Sequence, residues 1–159
     1  MTEGLLGGVL MELNKLKQEN YAEQAIRLKK ALKYEFYVEA LAIEYAMIED
    51  RINSIINTVG LKTVDKYGNN LTINKRLNII KSNNPFCKVK FLRSKLPVEF
   101  VEEIREWKDK RNTIIHSLMT TEFQSGEFRE LAEQGNNLRK QIDNKSKSIK
   151  KYMAKINKE

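Results

Sequence analysis

The sequence predicts an all-α protein, an up-and-down bundle of four to five helices. Three observations predict it. Apolar residues recur at three- and four-residue steps over most of the chain, which lines them up on helix faces. Two prolines and seven glycines are all that punctuate 159 residues, so long helical patterns run unbroken. No two alternating segments flank a turn as a strand hairpin would, and neither an internal repeat nor a glycine-rich phosphate loop is present.

Residues 9 to about 33 are rich in Leu, Glu, Lys, Gln and Ala, all good helix formers, with a break expected near Asn20-Tyr21. The spacing of Tyr37, Leu41, Ile48, Ile52, Ile55 and Val59 predicts a second helix over about 34–59, stopped by Gly60. Asp65 and Gly68-Asn69-Asn70 make 62–70 a loop. Thr72 caps a short helix that carries Ile73, Leu77, Ile79 and Ile80 and ends at Asn83-Asn84-Pro85. Residues 85–96 read as irregular and basic. Pro97 stands where a helix takes its first residue, and Phe100, Ile104, Trp107, Arg111, Ile115 and Leu118 follow at helical spacing to about Thr120. A loop at Gly126 precedes the last pattern, 127–157. There Phe128, Leu131, Leu138, Ile142, Ile149, Tyr152 and Ile156 keep a period of about 3.5 residues, with gaps at Gly135 and Lys145.

One domain is expected across 1–159, with its core at about 22–122 and a basic C-terminal helix at about 127–157. The apolar fraction of 41% suffices for a core without staples. Lys and Arg outnumber Asp and Glu by 29 to 21, a net charge of +8 that favours a polyanionic partner, nucleic acid before membrane. Membrane association is disfavoured further because the apolar face of the last helix lacks large aromatic residues beyond Tyr152. Cys87 is the only cysteine, which excludes an internal disulfide and fits a reducing compartment. Met1–Gly8 lack the marks of a signal peptide, and no run reaches transmembrane length, so a cytoplasmic location is expected.

The residues able to carry chemistry gather in the 97–120 helix. On a wheel at about 100° per residue, Arg111 falls in the middle of the apolar stripe, while Asp109, Asn112 and His116 share the adjoining polar face. Arginine is seldom placed against a core without a partner. In the 34–59 helix Glu44 lies within the stripe and Arg51 at its margin, so the simplest packing pairs Glu44 with Arg111, Arg51 or His116; a purely structural ion pair is the plainer alternative. A lone histidine late in a helix is most often a surface residue. Here it stands near a fixed cation and an amide. Arginine supplies a permanently charged fork for phosphate oxygens, and histidine as a class titrates near neutrality. That set suffices for attack of an RNA 2′-hydroxyl on its own phosphate, with histidine moving the proton and arginine stabilising the added negative charge. Metal chemistry is disfavoured: there is no second histidine, no cysteine pair and no His-Glu-x-x-His. Ser117 points to a different face from His116, so a nucleophilic triad is disfavoured too.

Over about residues 30–120, and above all at Arg111-Asn112-x-x-x-His116, the chain resembles the HEPN superfamily, whose signature is Arg, four to six residues, then His, often with Asn directly after the Arg. The resemblance implies a bundle of four or five helices that dimerises, with two Arg–His sets forming one composite cleft. Many members are metal-independent ribonucleases of toxin–antitoxin or phage-defence systems, acting without a cofactor. Others have lost activity and bind RNA or nucleotides or serve as scaffolds. Carried onto this chain, Arg111 and His116 are the catalytic pair, Asn112 the supporting polar residue, and Glu44 the acid of an earlier helix that assists them. The implied partners are a second copy, RNA and an antitoxin or other regulatory protein. Members modified on a tyrosine two residues after the histidine differ from this chain, which has Leu118 there. For nucleic-acid contact the candidates are Lys88, Lys90, Arg93 and Lys95, interleaved with Phe91 and Leu92, together with Lys108. The final helix, with six lysines from Lys145 to Lys158, either tracks a backbone as well or is a solvated helix packed on the bundle.

Overall fold

The computed structural model describes residues 2–120, 122 and 125–159, the side chains of Thr2 and Glu3 excepted. Among these, the chain forms six helices: α1 (Thr2–Lys33), α2 (Tyr37–Thr58), α3 (Ile73–Ser82), α4 (Lys90–Lys95), α5 (Val98–His116) and α6 (Ser125–Ile156). An isolated bridge between Val64 and Asn70 is the sole β-type pairing of the described residues. The all-α bundle expected from the periodicity is what forms.

α2 is the centre. Ala40, Leu41, Ile43, Met47, Ile48, Ile52, Ile55 and Ile56 take up well over half of its circumference and all are buried, while Glu39, Ala42, Ala46 and Asn57 keep one side exposed. An apolar face that wide needs more than one neighbour to cover it. α1 lies antiparallel on one side, with Lys17 beside Asp50 and Arg27 beside Glu39. α6 runs parallel to α2, tied by Arg129 to Tyr37 at one end and by Asp143 to Arg51 further along. α5 runs antiparallel to α6: Trp107 Nε1 donates to Leu131 O at 3.0 Å, and Lys145 sits over the Phe100 ring. α3 packs antiparallel to α5 through Lys81–Glu102, Asn78–Arg105 and Asn74–Lys108. Helix direction therefore alternates at every connection between these five except α2 to α3. There residues 59–72 carry the chain back to start again in the same direction. Gly60, at φ +82°, makes the sharp exit, and Asp65 holds the loop by accepting from Tyr67 N and Asn69 N.

Local chemistry accounts for the other boundaries. Thr72 caps α3 by accepting from Lys75 N, as its hydroxyl predicts. Pro97 is the cap residue of α5 rather than its first helical residue. Four expectations are corrected. α1 shows no break at Asn20-Tyr21 and reaches back to Thr2; Tyr21 is held there by the Arg51 guanidinium stacked 4.0 Å above its ring. The stretch 85–96 is not wholly irregular, because α4 forms where Leu92 can be buried. α5 stops at His116, not Thr120, with Leu118 N turning back to Ile115 O. Gly126 lies within the first turn of α6; residues 121, 123 and 124 of the expected loop fall outside the described residues.

The core continues into α6, where Phe128, Leu131, Ala132, Leu138, Ile142 and Ile149 are buried. The two gaps in its pattern have physical reasons. Gly135 is where α6 comes closest to its neighbours: a Cβ there would lie 2.1 Å from Glu44 Oε2 and 2.6 Å from the Trp107 ring. Lys145 leaves the stripe to donate to Lys95 O, the last carbonyl of α4, at 2.7 Å.

Candidate functional site

Arg111 is the most informative side chain. It lies half-buried where α5 crosses α2, with its guanidinium 4.6 Å from the Tyr45 ring centroid. Its Nε donates to Leu41 O at 3.4 Å, a long bond, and one terminal nitrogen donates to Asn112 Oδ1 at 2.9 Å. A guanidinium has five N–H groups in a fixed fork. Two are claimed here, and among the described residues no carboxylate pairs with it. Burial pulls its pKa down, and Tyr45 opposes that pull. Arginine remains charged regardless. The Tyr45 hydroxyl is pushed above its ordinary value by burial and then by Glu49, against Arg111 and Arg76. Glu49 is itself taken by Arg76 at 3.1 Å. What results is a cation held in place over an aromatic ring with donors to spare, the arrangement that receives an anion.

Asn112 belongs to this site through its bond to Arg111. His116 does not join it within one chain. It is the last residue of α5, exposed, about 140° round the helix from Arg111, and no hydrogen bond or ion pair connects its side chain to any described residue. Around Arg111 the surface is apolar: Ile115 and Leu118 are half-buried, and Val38, one turn before Leu41 and Ala42 on α2, is 39% exposed.

Glu44 is elsewhere, and the expected pairing with Arg111, Arg51 or His116 does not form. It is fully buried between Trp107 and the α6 backbone at Gly135, with neither carboxylate oxygen hydrogen-bonded. Burial pushes its pKa up to about 9, only partly offset by Arg139, so it is a neutral acid at neutral pH. The reason is the width of the buried face of α2. Glu44 faces α6, while Leu41 and Tyr45 face α5, so one apolar stripe meets two different neighbours. Arg51 pairs instead with Asp50 and Asp143.

The basic candidates divide. Lys88 and Lys90 are exposed. Lys95 is half-buried above the Phe91 ring. Arg93 is committed to Lys81 O at 2.7 Å and Leu96 O at 3.2 Å, and buried Lys108 to Asn74 at 2.6 Å and Asp109 at 2.7 Å. Both stabilise the bundle. Sequence reasoning missed Tyr45, because nothing in the periodicity gives the register of α5 on α2. Of the lysines expected either to track a backbone or to be solvated in the last helix, Lys147, Lys151 and Lys155 lie on the exposed outer side of α6, and Lys140, which the expectation left out, lies with them.

A cavity of about 770 Å³ opens between the end of α5 and the start of α6, but Asp109, Glu122, Glu127 and Glu130 line it, and neither Arg111 nor His116 does. Its charge repels a polyanion. No group of three or more metal-ligating side chains occurs among the described residues. No described helix is long and apolar enough to cross a membrane. Comparison with protein-family models, curated proteins and solved structures finds no match.

Proposed function

We propose that this chain is a metal-independent endoribonuclease of the HEPN type, acting as a toxin or defence component, whose site is completed when two copies meet at the Arg111 face. The observation that carries the reading is the Arg111 guanidinium: half-buried, oriented by Asn112, Leu41 O and Tyr45, with three N–H groups unclaimed and no carboxylate paired with it among the described residues. A phosphate oxygen is the natural occupant. A twofold pairing of this face would bring two arginines together. Glu44 is shut behind α2 and cannot relieve that repulsion, so an RNA phosphate takes the role.

The reaction balances with these residues alone. The imidazole of one His116 takes the proton of the 2′-hydroxyl as that oxygen bonds to phosphorus. The bond from phosphorus to the 5′-oxygen breaks, and the leaving oxygen takes a proton from the second, protonated His116. Arg111 stabilises the extra charge on the non-bridging oxygens. The products are a 2′,3′-cyclic phosphate and a 5′-hydroxyl.

RNA incubated with the protein in chelator is expected to yield those ends, and His116→Ala and Arg111→Ala each to abolish them. Cleavage by both variants at the wild-type rate would falsify the proposal. A second reading has one observation in its favour: within a single chain His116 and Arg111 do not touch. If copies do not meet at this face, Arg111 and the exposed lysines hold RNA without cutting it. Wild-type protein would then bind RNA salt-dependently and leave it intact, and its overexpression would not arrest growth.

A further inference from the structure

The first half of α1 is a bare apolar surface. Leu6, Val9, Leu13 and Leu16 are each more than half exposed, as are Leu5 and Leu10 beside them. The second half of the same helix joins the bundle: Leu28 and Ala31 are buried, and Lys17 reaches Asp50. Proteins seldom leave so continuous an apolar patch uncovered.

The exposed residues follow a heptad. With Leu6 at position a, the a and d positions read Leu6, Val9, Leu13, Leu16 and Asn20. Glu12 and Glu19 fall at g, and Lys17 and Gln24 at e. In a parallel, in-register pair each g residue faces the e residue five positions on in the other strand, so Glu12 faces Lys17 of the partner subunit, and the reverse holds by symmetry; Lys17 is more than half exposed, and it exchanges its weak surface pair with Asp50 for the new one. An antiparallel pair would set g against g and bring glutamates together. Leu at a with Val at d favours larger assemblies when taken alone; Asn20, the one polar a residue, selects two strands and a single register.

We propose that residues 5–20 form a parallel two-stranded coiled coil with a second copy of this chain. A lipid surface is the poorer occupant, because the polar side of this segment balances Lys15 and Lys17 with Glu12 and Glu19 instead of offering the cationic face that anionic lipid selects. The coil is independent of the ribonuclease reading. α1 lies on the side of α2 that carries Met47 and Asp50, while Arg111 meets Leu41 and Tyr45 on the opposite side. A copy joined through α1 therefore leaves the Arg111 face open.

The test uses the full chain with Leu6→Cys in a Cys87→Ser background. Mild oxidation is expected to link two copies at position 6, and adding Leu13→Glu to prevent it. Arg111→Ala is expected to leave the cross-link intact, which separates this test from that of the composite site. Chains carrying Glu12→Lys or Lys17→Glu should each self-associate at least severalfold less than wild type and should pair with one another on mixing. Absence of the cross-link, or no preference in the mixed sample, overturns the coiled coil. So does sedimentation of the unlinked protein with phosphatidylcholine–phosphatidylserine vesicles that Leu13→Glu abolishes, since a membrane would then be the occupant.

Discussion

Glu44 shows how far one atom group can diverge from the role its position suggests. It shares a helix and a stripe with residues that face Arg111, yet it packs on Trp107 and Gly135 with both oxygens unpaired. Its folded-state pKa, about 9, stands above the ordinary carboxyl value of 4.5. Below 4.5 both folded and unfolded chains hold the proton and the group adds no pH dependence. Between 4.5 and 9 the unfolded chain loses it while the folded chain keeps it, so stability falls as pH rises across that window. The gap in melting temperature between Glu44→Gln and wild type is accordingly expected to widen in favour of the variant from pH 5 to pH 8, followed by circular dichroism. A gap that stays constant would mean that Glu44 is ionised in the fold. Arg111 was the residue whose anomaly could be read in advance, because a cation inside an apolar stripe breaks the pattern. Its neighbours could not be read, since a face wide enough to meet several helices does not say which one covers each part of it.

Among the helices, those with local chemical signals were the readable ones. Thr72, Gly60 and Pro97 each act on the backbone within a residue or two, so the C-terminus of α2 and the N-termini of α3 and α5 could be placed closely. The extent of α1 could not, because good helix formers lie on both sides of the expected break. α4 escaped notice because a six-residue helix with one buried side chain, Leu92, has no period to detect. Gly135 looked like a flaw in α6 and is instead the contact point of three helices. Gly135→Ala would drive a Cβ into the Glu44 carboxyl and the Trp107 ring. The expected cost is about 1–3 kcal/mol, for overpacking outweighs the gain in helix propensity. In a chain of this size that lowers the melting temperature by roughly 3–10 °C. A variant that melts at or above wild type would show that the helices separate freely there.

At the level of the whole molecule, the charge of +8 is not spread evenly. Acids line the cavity between α5 and α6, and exposed lysines gather near α4 and along the outer side of α6. Fluorescence anisotropy with a short RNA is expected to show Lys88→Glu with Lys90→Glu weakening binding severalfold at about 50 mM salt, the difference shrinking as salt rises. Lys108→Gln should act on the melting temperature and not on RNA affinity, because its ammonium is bound to Asn74 and Asp109. The reverse pattern would reassign both sites. The parallel seating of α6 on α2 also bears on how the chain is made. Synthesis from Thr58 to Ser125 takes roughly 3–13 s at about 5–20 residues per second. Through that interval the part of the apolar face of α2 that awaits α6 has no permanent cover. The nascent chain is most open to aggregation and to chaperones at the moment when its most hydrophobic helix is already complete.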